Sequence, residues 1–202
     1  MNKKSNGNLT ARQEKGFSVP ELMIVLIVAA IILVLALPQI ITSRRLFMFA
    51  SAQREITTYV REARQRAMSE RKPITFRYDN SSKRITVFGG SLGVLGGGNN
   101  HILELSGMGL SPADIVYGRP SGASVAALGD GTNITTLTGN AIEITFQGDG
   151  AVLDGSDNPV DNAIFFYHAL YPADTAFGVS VLGSNGRVKV WKYSGGVNAY
   201  VE

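Results

Sequence analysis

From Leu22 to Leu37 the chain is unbroken apolar sequence, LMIVLIVAAIILVLAL. Phe17–Val19 before it and Ile40 and Ile41 after Pro38 extend it to roughly the twenty residues that a helix needs to cross a bilayer. Such a segment cannot be left in water, so it predicts a membrane span or an apolar assembly. Basic residues precede it: four cations (Lys3, Lys4, Arg12, Lys15) stand against one anion, Glu14, before Phe17. The positive-inside rule then puts the N-terminus in the cytoplasm and the C-terminal domain outside. A generic secretory signal would need a small-x-small cleavage site after the apolar run, and the sequence near Ala30 and Ala36 offers only poor ones.

Neither a plain anchor nor a secretory signal accounts for Glu21. It lies four residues after Phe17, on the same helical face. A carboxylate at the edge of hydrocarbon is costly unless protonated or paired. Cleavage between Gly16 and Phe17 would create an amine for it to pair with, its own or a neighbouring subunit's.

The junction Lys15-Gly16-Phe17-Ser18-Val19-Pro20-Glu21-Leu22 resembles the class III leader junction of type IV pilins and type II secretion pseudopilins. The resemblance implies a pilin-like α+β fold, in which a long N-terminal transmembrane and stalk helix packs on a C-terminal antiparallel β-sheet domain. It implies cleavage after Gly16 by a prepilin peptidase and N-methylation of Phe17. It gives Glu21 a role in subunit registry and places Pro38 where many pilins have a helix-loosening proline. Pro20 departs from the usual pattern, but a first helical turn tolerates its missing N–H. The implied partners are other pilins or pseudopilins, the prepilin peptidase, an inner-membrane assembly platform and membrane lipid. The implied organisation is a leader over 1–16, an assembly helix over 17–42, an amphipathic stalk over 43–72 and a periplasmic β-rich head over 73–202.

Beyond the apolar run, Leu46, Phe49, Gln53, Ile56, Val60, Ala63 and Ala67 recur at spacings of three and four, the stripe of a helix with one buried face. Pro73 stops it, which predicts a helix over about 17–72 with a kink or local melting at Pro38. Strand patterns follow at Ile74–Tyr78, Arg84–Phe88, Ile102–Leu105, Ile115–Tyr117, Ile142–Phe146, Ile164–Tyr167, Phe177–Leu182 and Arg187–Tyr193. Gly183-Ser184-Asn185-Gly186 between the last two is a hairpin turn. One sheet with a face on the stalk would satisfy both elements. The glycine-rich stretch 89–100 reads as a loop.

Three further stretches narrow the resemblance. Arg61-Glu62-Ala63-Arg64-Gln65-Arg66-Ala67, Ile144-Thr145-Phe146 leading to Gly150, and Gly186-Arg187-Val188 resemble, in that order, landmarks of the GspH/FimT group of minor pilins and pseudopilins. Members of that group sit at or near the filament tip and help to start assembly.

Charge divides along the chain. Arg44–Lys72 carries eight cations and three anions, whereas from Pro73 onward there are seven cations and eleven anions. Without residues 1–16 the chain has fifteen cations and fifteen anions, so its basic pI is no argument for nucleic acid. DNA enters by a different route. FimT-like pilins of natural transformation use a C-terminal Gly-Arg-x-Arg for DNA, and this chain has Gly186-Arg187-Val188-Lys189. On a strand Arg187, Lys189, Trp191 and Tyr193 would share a face, able to contact phosphates and stack bases. The alternative is a polar face, or a core landmark in which Arg187 braces the turn.

Catalysis finds no foothold. Gly89-Gly90-Ser91-Leu92-Gly93 matches a nucleophile elbow, but loop sequence follows where a helix is needed. No phosphate loop or cofactor motif occurs, and without cysteine there is no disulfide or thiolate metal site. Asp149, Asp154, Asp157 and Asp161 are weak calcium candidates, since their spacing is not that of an EF-hand.

Overall fold

The structure is a computed structural model that describes residues 17–90, 100–121, 134–196 and 199–201, with only the main chain of residue 38. The leader with Gly16, most of the glycine-rich stretch and Ser91–Gly93 of the elbow match lie outside the described residues. The chain divides into two units, one ending at Thr42 and one running from Ser43 to Glu202.

A single helix, α1 (Val19–Glu70), opens the described chain. Ser18 starts it by accepting the Leu22 N–H at 3.1 Å, and Pro20 falls in the first turn, where no N–H is needed. Of the kink or local melting expected at Pro38, local melting is not seen, since α1 is helical through that position. It ends on Arg71, whose φ of +50° is left-handed, while the Lys72 N–H returns to the Ala67 carbonyl. That closure usually recruits glycine; here Pro73 immediately prevents the helix from continuing.

Within the second unit, the part of α1 from Ser43 on is amphipathic as its periodicity predicts. Phe49, Ala52, Ile56, Val60, Ala63 and Ala67 are buried, and Gln53 sits half-buried at the stripe's edge. The strands that follow are β1 (Ile74–Asp79), β2 (Arg84–Gly89), β3 (His101–Glu104), β4 (Ile115–Tyr117), β5 (Ala141–Phe146), β6 (Asn162–His168), β7 (Phe177–Val181), β8 (Val188–Ser194) and β9 (Ala199–Val201), which pair antiparallel throughout. A short helix α2 (Pro172–Thr175) separates β6 from β7. The fold is α+β, with a long helix on antiparallel sheet.

The strands form two sheets rather than one, in the orders β3-β2-β1-β5 and β4-β6-β7-β8-β9. Stalk and both sheets share one core, with Phe76 and Tyr78 from the first sheet and Phe166, Phe177 and Val179 from the second. Burying each such side chain is worth about 1.5–3 kcal/mol, which is why the stalk stripe and the strand patterns must agree. The other face of the first sheet is fixed by directly opposed pairs. Thr75 and Thr145 share a hydroxyl hydrogen bond of 2.8 Å, and Arg77 pairs with Glu143 at 3.0 Å. The other face of the second sheet carries a second apolar cluster: Ala163, Phe165, Ala176, Trp191 and Tyr200.

Candidate functional site

In the first unit the apolar segment has no cover. Among the described residues it is the one helix long and apolar enough to cross a membrane, and none of its apolar window is buried. Phe17, at its start, is 77 % exposed. Glu21 is exposed in the first turn, where helix polarity favours an anion. This surface is compatible with a single-pass anchor.

In the second unit, three stretches far apart in sequence converge. The turn after β5 (Gly148–Gly150), the turn before β8 (Gly183–Gly186) and the stalk around Arg64 meet. A β-carbon on Gly148 would lie 2.9 Å from the Arg71 carbonyl carbon, and one on Gly150 3.0 Å from the Met68 sulfur. Gly186 faces the Gly150 carbonyl and the Arg64 side chain. Arg64 Nε–H donates to the Asn185 carbonyl at 3.2 Å, and the Arg187 N–H donates to Asn185 Oδ1 at 2.8 Å. Over this junction opens a cleft of about 560 Å³, lined by Arg61, Arg64, Gln65, Met68, Asn185, Arg187 and Val188. Among the described residues its lining includes three arginines and no acidic side chain. Sequence marks Arg61 and Arg64 as part of a stalk landmark but not as site residues, because nothing local says that the turn before β8 returns to them.

The expected β8 stripe divides. Arg187 precedes the strand, in the cleft. Lys189 and Trp191 do share a face, with the ammonium 5.2 Å from the ring centre. Trp191, however, is only 6 % exposed, belongs to the second cluster and donates its indole N–H to Ser180 Oγ at 2.7 Å. It is a packing residue and offers no free face to a base. Tyr193, half-buried, meets the Tyr200 ring at a tilt of 59°.

Three of the four aspartates serve the backbone. Asp149 accepts the Ala151 N–H, Asp161 the Gly183 N–H, and Asp154 those of Ser156 and Asn158. The two backbone donors hold the Asp154 carboxyl below its usual range. Asp157 is exposed, with a left-handed φ of +62°. Among the described residues no three acid or histidine side chains are grouped to hold a metal.

Helix, sheets and cleft thus define an α+β protein whose apolar N-terminal helix continues as the core helix of a β-rich head. No protein-family model matches the chain, and neither does any curated protein. Among solved structures, the type IV minor pilin FimU of Pseudomonas aeruginosa (strain PAO1) is similar in two crystal forms. The overlaps have TM-scores of 0.47 and 0.45 at 15 % identity. They cover 70 % of this chain and 87 % and 90 % of FimU.

Proposed function

We propose that this chain is a subunit of a type IV pilin-like filament, inserted as a single-span precursor, cut after Gly16 and then assembled through its apolar helix. One observation carries the reading: an apolar helical surface with no cover, followed without interruption by the helix around which the head is built. Leaving the bilayer is unfavourable for that surface unless another apolar environment receives it, and a bundle of parallel helices supplies one. Glu21 would set register by pairing with the new amine of a neighbour's Phe17. The landmarks around Arg64, Gly150 and Gly186 support the narrower assignment to a GspH/FimT-like minor subunit at or near the tip of a pilus or type II secretion pseudopilus. In this reading the prepilin peptidase and the inner-membrane platform act on the cytoplasmic N-terminus, and the head lies in the periplasm.

Mass spectrometry of the chain recovered from membranes tests it. The mature species should begin at methylated Phe17, and Gly16→Ala should accumulate as uncut precursor. Unchanged processing of Gly16→Ala would sink the proposal.

The DNA-uptake alternative retains the phosphate contacts of Arg187 and Lys189 but loses Trp191 as a stacking platform. Salt-dependent retention of DNA by the head, abolished by Arg187→Ala with Lys189→Ala, is its signature.

A further inference from the structure

At the end where the chain enters it, the head is closed by the stalk residues Arg44–Phe49 and by the stretches Leu105–Asp114 and His168–Tyr171. A β-carbon on Gly109 would lie 3.0 Å from the Met48 methyl carbon, and the His168 ring stands 5.9 Å from that of Phe49. The Ala169 N–H donates to the Asp114 carbonyl at 2.9 Å, joining the two stretches. Ser111, Pro112, Ala113, Ala169 and Leu170 are exposed on this base, and from Leu105 to Ala113 the sequence has no charged residue. Two large apolar side chains stand out in water here, Phe47 at 71 % exposure and Leu170 at 60 %. Single exposed apolar residues are ordinary on a protein surface; these two are set apart by their position. Phe47 comes six residues after Ile41, where the apolar segment ends, with Arg44 exposed and Arg45 half-buried between them. Six helical residues rise about 9 Å, and the headgroup layer on one side of a bilayer is roughly 5–8 Å deep. A chain held in a bilayer by that segment carries this base next to the headgroups.

We infer that the base of the head docks on the surface of the bilayer from which the chain emerges, with Phe47 and Leu170 entering the headgroup layer and Arg44 meeting lipid phosphates. The inference rests on the apolar helix being a membrane span, and it needs neither cleavage at Gly16 nor a filament. Its chemistry is that of an interfacial anchor. Apolar side chains gain by leaving water, and a guanidinium beside them is drawn to anionic headgroups. The uncharged rim matters as much, because a charged side chain turned toward lipid there would have to be desolvated. A second copy of the chain is the competing cover for Phe47, which lies on the stalk. It accounts less well for Leu170, which sits off that helix in the turn between β6 and α2.

The chain has no cysteine, so single cysteines can be spin-labelled in the full-length protein. Ser111→Cys and Ala169→Cys report on the base, and Val34→Cys on the apolar segment. Ser184→Cys reports on the exposed turn at the opposite end of the second sheet. In vesicles of phosphatidylethanolamine and phosphatidylglycerol, collision with oxygen, which concentrates in lipid, is compared with collision with a water-soluble nickel chelate. The labels at positions 111 and 169 should give ratios between those of positions 34 and 184. Phe47→Ser with Leu170→Ser and Arg44→Gln should bring them down to the value at 184, and circular dichroism establishes that the head is still folded. Base labels as water-exposed as position 184 in the unsubstituted background, with position 34 in lipid, would overturn the docking and leave the span standing. Base labels shielded from both reagents, increasingly so at higher protein-to-lipid ratio, would give the surface to a second copy and overturn it too. A label at position 34 that meets only water would overturn the span and the docking together. Processing at Gly16 is measured separately, so a failed docking leaves the filament proposal standing.

Discussion

Gly186 and Gly150 meet so closely that a β-carbon on Gly186 would collide with the Gly150 carbonyl oxygen. Both have left-handed φ, +63° and +89°. The two turns therefore interlock through glycines at the point where the stalk places Arg64. Gly186→Ala should destabilise the head by at least ~2 kcal/mol, combining left-handed strain with a backbone clash that no side-chain rotation relieves. Gly139→Ala is the matched control. Its φ is +57°, but nothing lies within 4 Å of the added carbon, so only the strain of about 1 kcal/mol should appear. Urea unfolding of residues 43–202 gives both values, and equal losses would mean that the turn-to-turn contact contributes nothing.

Trp191 supports a second contact of this kind. Phe165 lies over Gly178, where a β-carbon would fall 2.5 Å from the ring, and the indole of Trp191 packs in the same cluster. Trp191→Phe should cost about 1–3 kcal/mol, from lost volume and from the Ser180 hydroxyl left without its donor. Trp191→Ala should cost about 3–5 kcal/mol. A fully stable Trp191→Ala head would mean that this face is solvent-exposed after all. Fluorescence-monitored urea unfolding suits the wild type, and circular dichroism suits the variants.

Much of this was legible in the sequence, for definable reasons. The stripe from Phe49 to Ala67 repeats with the helical period, and only one packing satisfies it. The hairpin before β8 announced itself through Gly183-Ser184-Asn185-Gly186. Trp191 was misread because alternation along β8 separates two faces but cannot say that both are covered. One faces the stalk and the other the cluster around Phe165. The division into two sheets was hidden for a related reason, since strand patterns carry no information about which edges pair. The three-arginine cleft was invisible because Arg64 and Asn185 are 121 residues apart. Only the fold brings the three landmark stretches together, and it shows their glycines to be places of close backbone approach.

At the other end of the chain, Glu21 lets the proposed registry role be tested apart from folding. It lies in the first unit, whereas every core residue of the head lies in the second. Glu21→Ala should lower recovery of the chain in sheared filaments several-fold, with the unfolding midpoint of the head unchanged. Incorporation equal to wild type would remove the registry role without touching the anchor.

His168 supplies a pH dependence whose sign can be worked out. The ring is fully buried against Phe49 and Tyr171. Its Nδ1 accepts the Leu170 N–H at 3.1 Å, so the neutral ring carries its proton on Nε2. That nitrogen has no hydrogen-bond partner among the described residues, where Asp114 Oδ2 lies 3.9 Å away. Burial holds the imidazole below its ordinary value; Asp114 opposes this, and Arg45 adds to the lowering. Above about pH 6.5 the ring is neutral in the folded and unfolded chains alike, and contributes no slope. As pH falls below that, the unfolded chain takes up the proton first, so stability declines until the folded-state value is passed and then levels off. The urea midpoint of residues 43–202 should therefore fall between about pH 7 and pH 5. His168→Gln can still accept the Leu170 N–H but cannot titrate, and should lose most of this slope. His101 is present in both proteins and cancels in the comparison. Parallel curves for wild type and variant would place the acid sensitivity elsewhere in the head.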